Sequence, residues 1–207
     1  MDPTALRDYY SSLNISDKYF DNIVSVDRWS VEKSWNQLGK PTNRDEWGMT
    51  APTVNAYYNP SGNEIVFPAG IMQFPVFGSD LPNYMNYGAF GAVAGHELSH
   101  AFDNNGRHYD VNGNLTDWWT NHTVEGFEDR AQCFVDEYSN FTVAGPNGTT
   151  LHVNGKLTLG ENIADAGGLS AAFDVWKRGQ EETPDLHLPG LDFFTQEVRI
   201  FNVNTNV

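Results

Sequence analysis

Two histidines four residues apart, His96 and His100, lie in GAVAGHELSHAFDNNG, residues 91–106, with Glu97 directly after the first. On an α-helix, positions i and i+4 share a face about one turn apart, so both imidazoles can reach one ion. Glu97 is rotated roughly 100° from His96 and stands beside such an ion, not on it. A carboxylate held there can take a proton from a water activated by the metal, which is the chemistry His-Glu-X-X-His serves in zinc hydrolases. A catalytic zinc also wants a third protein ligand and an open position. LGENIADAGGLSAAF, residues 159–173, offers a candidate, because Glu161 and Asp165 are again four apart. Glu161 can reach the ion, and Asp165 can accept the N–H of a ligand imidazole and so fix its tautomer. Two plain readings compete: a solvated helix that happens to carry two acids, and a structural zinc site. The second is the weaker, since structural sites are usually closed by four Cys or His ligands.

The elements that must carry these residues can be read from periodicity. Apolar residues over 2–38 recur at helical spacing, as at Leu6, Tyr9, Tyr10 and Leu13, and predict two or three helices. GKPTNRDEWG, residues 39–48, is a loop. TVNAYYNPSGNEIVFPAG, residues 53–70, reads as a hairpin about its Asn-Pro-Ser-Gly-Asn turn, with Pro68 ending the second strand. One helix from about Asn83 to Asn104 would carry HELSH, although Gly88, Gly91 and Gly95 each cost about 1 kcal/mol against alanine there. Close approach of another backbone or of a substrate is the usual reason for accepting that cost. Further helices are predicted over 118–138, capped by Asp117, and over 159–179, while 144–156 reads as a loop. The fold class is therefore α+β, mainly α with a small β-sheet. Ala92 and Val93, one turn before the ligands, face the metal side of their helix. With Ile71 and Val76 they can line an apolar side-chain pocket, unless all four are plain core.

Composition narrows the partners. The 207 residues are 40% apolar and 14% aromatic, as expected of a folded chain with a real core. Twelve basic against 27 acidic residues give a formal charge of -15, which repels phosphate backbones and anionic membrane surfaces, so nucleic acid is not an expected partner. The acids are dispersed and read as solubility. No apolar run reaches the ~18–20 residues that span a bilayer, and MDPTALRDYY lacks the basic and apolar regions of a signal peptide. Against that, the sequons at Asn14, Asn114, Asn121, Asn140 and Asn147 point to secretory passage and a glycoprotein. Cys133 is an odd cysteine, either a free thiol or one with a partner outside the chain.

NAYY, VFPAGI, GHELSHAFDNNGR, DWW, GENIADAGGL and LPGLDFFTQE, in that order, resemble the catalytic segment of the neprilysin and endothelin-converting-enzyme family, the M13 gluzincins, over about residues 15–200. The resemblance implies a thermolysin-like zincin domain and one Zn²⁺ held by His96, His100 and Glu161. It implies Glu97 as general base and Asp165 as the conserved acid of the ENIAD motif. It also places Asn55 and Ala56 on an edge strand that holds substrate backbone, as an edge with free N–H and C=O groups can do by β-augmentation. The implied activity is hydrolysis of oligopeptides before an apolar residue, and the implied location is secreted or on the extracellular face of a membrane. The family carries a helical region before this segment and, after it, a stretch whose histidine and arginine stabilise the transition state. Set against that pattern, the chain reads as one partial catalytic domain with a helical lead-in (1–48), a substrate-binding hairpin region (49–78), zinc-binding helices (83–180) and a truncated C-terminal part (181–207). An impaired or inactive fragment that keeps zinc or peptide binding is the alternative. His108, His122, His152 and His187 have no matching context and are expected to be surface or structural. Cys133 occupies a family cysteine position whose partner would lie beyond these residues.

Overall fold

The structure, a computed structural model, describes residues 2–186, 189–190 and 193–204; His187, Leu188, Leu191 and Asp192 lie outside the described residues. The chain divides into two compact units, Met1–Asn43 and Arg44–Val207, with the boundary inside the loop expected over 39–48. In the first unit, α1 (Pro3–Tyr9) and α2 (Tyr19–Trp35) are both short of buried residues. The Asp2 carboxylate accepts the N–H of Thr4 and Pro3 takes the first helical position, a standard start signal. Tyr9, Tyr10 and Trp29 pack their rings together at centroid distances of 4.8, 5.5 and 5.3 Å.

The second unit opens with the predicted hairpin. β1 (Tyr57–Asn59) pairs antiparallel with β2 (Glu64–Val66) in the register Tyr57↔Val66, Tyr58↔Ile65, Asn59↔Glu64. The expected long helix follows as α3 (Asn83–Asn86), one π turn (Tyr87–Gly91) and α4 (Ala92–His100). It stops at His100, short of Asn104, for a local reason. One oxygen of Asp103 accepts the N–H groups of Asn105 and Gly106, both at 2.7 Å, and so offers the backbone an alternative to another helical turn. α5 (Asn121–Asn140) begins three residues later than predicted, because Thr120 and not Asp117 supplies the cap, its hydroxyl accepting the N–H of Thr123. The loop expected over 144–156 holds part of a second hairpin, β3 (Thr142–Ala144) with β4 (Thr150–His152). α6 (Leu159–Glu182) and α7 (Gln196–Asn204) complete the unit.

Two packings position what matters. α4 and α6 cross antiparallel, with Gly91 against Ala172 at one end and Gly160 against Asp103 and Asn104 at the other. Small residues line the crossing, among them Ala164, which has no exposed surface, so the two backbones approach closely. Behind the crossing, Tyr84, Trp176 and Ile200 form a buried cluster flanked by Met85, Tyr87 and Phe173. The buried Asp185 carboxylate ties this cluster together by accepting the N–H groups of Asn83 and Tyr84, the Trp176 indole N–H and the Gln180 amide. It thereby fixes the start of the helical run that leads into α4.

Candidate metal centre

His96 and His100 lie on one face of α4 and Glu161 lies in the first turn of α6. Their ligand atoms converge: the two Nε2 atoms are 2.9 Å apart, and Glu161 Oε2 is 3.4 Å from that of His96 and 3.6 Å from that of His100. Donors bound to one zinc at 2.0–2.1 Å in tetrahedral array stand ~3.3–3.4 Å from one another. The two separations from Glu161 come within about 0.2 Å of that tetrahedral edge, and the two imidazole nitrogens stand closer together than it by about 0.4 Å.

The proton inventory supports the same reading. His96 Nδ1 lies 2.8 Å from Asp165 Oδ1, and His100 Nδ1 lies 2.7 Å from Asp103 Oδ2. Each carboxylate can only accept, so each imidazole carries its proton on Nδ1 and presents a bare lone pair at Nε2. Two lone pairs and a carboxylate oxygen aimed at one point repel unless a cation lies between them. A two-imidazole, one-carboxylate donor set with room for a fourth position suits catalytic zinc. Glu161 and Asp165 are 68% and 69% exposed at their side chains, so the centre is open to solvent on the α6 side.

Asp103 is the part of this arrangement that the sequence reading omits. It is buried, and burial alone would raise its pKa. The bonds it accepts from His100, Gly106 and Asn105 outweigh that and hold its carboxyl below the ordinary aspartate value. Its hydrogen bond in turn raises the pKa of the His100 imidazole, against the opposing effect of burial. The signal was present in HELSHAFD, where a carboxylate stands three residues after the second histidine.

Glu97 is also buried, at 7% exposure, beside the ligand atoms. Desolvation pushes its pKa upward, while the two imidazoles and a hydrogen bond from the Tyr58 backbone N–H pull the other way. Tyr58 is on β1, so the hairpin reaches the buried carboxylate through the backbone as well as flanking it. Asn55 and Ala56 immediately precede β1. The Asn55 side-chain oxygen accepts the Ala56 N–H at 2.9 Å, which leaves its amide donors directed elsewhere.

Two cavities meet at Asn55, His96 and Glu97. One, of about 610 Å³, includes Ala56, Tyr57, Tyr58, His100, Tyr109 and Glu161 in its lining. The other, of about 630 Å³, has Ile71, Ala92, Val93, Leu169 and Tyr138 in its walls. Of the expected pocket residues, Ile71, Ala92 and Val93 come together there. Val76 is half-buried and lines neither cavity. Tyr138 and Leu169 were not anticipated, since they come from α5 and α6, remote in sequence. The other described histidines lie outside both cavities: His108 is 3.7 Å from Asp117, His152 is exposed and 3.2 Å from the Ser139 carbonyl, and His122 is exposed on α5. Cys133 is exposed. Among the described residues, no helix is long and apolar enough to cross a membrane.

A zincin-type centre on two crossed helices beside a short hairpin is what the fold and the geometry define, and the comparisons agree. The profile of peptidase family M13 matches residues 55–206, and the chain belongs to that family. It is 51% identical over 195 residues to an endothelin-converting enzyme homolog of Locusta migratoria, covering 93% of this chain and 26% of the relative. With endothelin-converting enzyme 1 of Mus musculus the identity is 47% over 201 residues, covering 94% of this chain and 26% of that one. The solved structure of a Mycobacterium tuberculosis zinc metalloprotease in complex with an inhibitor superposes with a TM-score of 0.83 at 40% identity, covering 94% of this chain and 30% of that one. The chain thus spans about a quarter of the length of the curated relatives it matches.

Proposed function

We propose that this chain carries the metal centre, the general base and part of the substrate cleft of a zinc metallo-endopeptidase that cuts peptides before an apolar residue. The observation that carries the reading is the convergence of the His96, His100 and Glu161 ligand atoms within 3.6 Å of one another with a buried carboxylate, Glu97, alongside. Zinc, when bound, supplies Lewis acidity that polarises the scissile carbonyl and lowers the pKa of water. Asp165 and Asp103 hold the two imidazoles in the ligating tautomer. Glu97 takes a proton from the attacking water and passes it to the leaving amine. Burial suits it to both tasks, because a raised pKa makes proton capture and release more nearly balanced at neutral pH. The backbone at Ala56 and the Asn55 amide hold an extended peptide along the hairpin edge. The cavity walled by Ile71, Ala92 and Val93 receives an apolar side chain next to the cut bond. The five exposed sequon asparagines favour action outside the cytoplasm.

The openness of Glu161 and Asp165 favours a second reading, in which the chain binds zinc and peptide without turnover. One experiment separates the two. Zinc content of the dialysed chain, followed by mass-spectrometric assay of peptide cleavage, is compared with that of Glu97→Gln. The first reading expects both forms to hold close to one zinc and only the parent to cut. Equal cleavage by parent and variant would refute the role of Glu97, and zinc without cleavage in either form would select the second reading.

A further inference from the structure

We propose that Gly168 is a positioning residue for the metal centre: its missing side chain sets the separation between the helix that carries His96 and His100 and the helix that carries Glu161 and Asp165. The inference rests on the zinc reading above and adds to it a residue that touches neither metal nor substrate.

A Cβ on Gly168 would lie 2.4 Å from the backbone nitrogen of His96, 2.7 Å from the carbonyl oxygen of Ala92 and 2.9 Å from the Cα of His96. These are backbone atoms of the ligand-bearing turn and cannot rotate aside. The approach is reciprocal, since a Cβ on Gly95 would lie 2.7 Å from both the Cα and the carbonyl oxygen of Gly168. Ordinary carbon contacts need ~3.5–4.0 Å, so one methyl at this crossing drives the helices apart by about 1 Å. Glu161 and Asp165 stand on the same helix as Gly168, seven and three residues earlier, and move with it. The 3.4 and 3.6 Å gaps from Glu161 to the two imidazoles would open to beyond ~4 Å, past the tetrahedral spacing. The 2.8 Å bond from His96 to Asp165 would be lost as well.

Two neighbouring glycines calibrate the effect. A Cβ on Gly167 would meet the Ser99 hydroxyl at 2.5 Å, which can turn away at the expense of its bond to the Gly95 carbonyl, and the Ser99 Cβ at 3.1 Å, which cannot and so asks the crossing itself to open by a few tenths of an ångström. One on Gly179, farther along α6, would meet nothing within 4 Å.

The test measures zinc affinity by competition with a chromophoric chelator, the visible absorption of the cobalt-substituted protein, and thermal melting of the metal-free form, in the parent chain and in Gly179→Ala, Gly167→Ala and Gly168→Ala. Gly179→Ala is expected to leave affinity and cobalt bands unchanged. Gly167→Ala is expected to lose between twofold and tenfold, and Gly168→Ala at least about tenfold with altered cobalt bands. A role in packing alone would lower melting and leave the affinity and cobalt spectrum of the folded protein unchanged, and that result overturns the proposal. If Gly168→Ala does not fold, Gly167→Ala decides, and parent-like zinc affinity there overturns it equally. A parent chain that binds no zinc would instead sink the zinc reading itself.

Discussion

Replacing Asp103 separates its structural duty from its duty to the metal. The carboxylate is buried and makes three short bonds: one oxygen takes the N–H groups of Asn105 and Gly106, and the other faces His100 Nδ1. In Asp103→Asn, two backbone donors hold the amide oxygen in the first place, so the NH₂ group must face the imidazole. An amide NH₂ can only donate, which forces His100 Nδ1 to become the acceptor and moves the ring proton to Nε2, the atom aimed at the ion. In Asp103→Ala the histidine is free to choose its tautomer, but the N–H of buried Gly106 loses its acceptor, at about 1–3 kcal/mol, and the N–H of exposed Asn105 loses one that water replaces in part. The two variants therefore rank oppositely. Asp103→Asn should bind zinc at least ~10–100-fold more weakly than the parent, or about 1.4–2.7 kcal/mol, with a stability loss near 1 kcal/mol. Asp103→Ala should lose more stability, about 2–4 kcal/mol, yet less zinc affinity per folded molecule. Chelator competition gives the affinities and urea unfolding of the metal-free chains gives the stabilities. Asn binding zinc as tightly as the parent, or Ala binding it more weakly than Asn, would refute the tautomer argument.

The corresponding change on the other imidazole, Asp165→Asn, should weaken zinc by a comparable factor of about ten or more. Because that carboxylate is 69% exposed, it should shift the urea midpoint of the metal-free chain hardly at all, and a large shift there would count against the assignment. Asp185→Ala should do the reverse. It leaves the N–H groups of Asn83 and Tyr84 and the Trp176 indole without their acceptor inside a buried cluster, so a stability loss of about 3 kcal/mol or more is expected by urea unfolding. A loss below about 1 kcal/mol would mean the cluster holds without it.

The chemistry of the centre was more legible in the sequence than its mechanical support. His96 and His100 are four apart on one helix and Glu161 and Asp165 four apart on another, so 3.6-residue periodicity alone puts each pair on a face, with Glu97 to the side of the first. What periodicity lacks is any statement about which helices meet. Gly91, Gly95 and Gly168 lower helix propensity when read singly, Ala164 and Ala172 read as ordinary helix formers, and only the α4–α6 crossing shows what these small residues permit together. Asp103 was hidden differently. It follows the helix end, and a carboxylate there reads as a solvated loop acid until the turn it closes is seen. The Tyr58 N–H that reaches Glu97 carries no sequence signal at all, because every residue but proline has that donor. The β3–β4 hairpin escaped for lack of a buried face: all six of its strand residues are exposed, so no alternation marks them.

The origin of the groups also says how the centre assembles. His96, His100 and Asp103 come from eight consecutive residues, so two ligands and one supporting carboxylate form wherever α4 and its terminal turn form. Glu161 and Asp165 join only when α6 docks, about 60 residues later in the chain. A cation held by all three ligands therefore binds the docked state better than the undocked one, and by mass action it must stabilise the docking by the same free energy. Each tenfold excess of zinc over its dissociation constant adds about 1.4 kcal/mol to that contact. The close glycine crossing and the metal thus act on one equilibrium: the crossing makes the three-ligand geometry reachable, and the ion makes it persist.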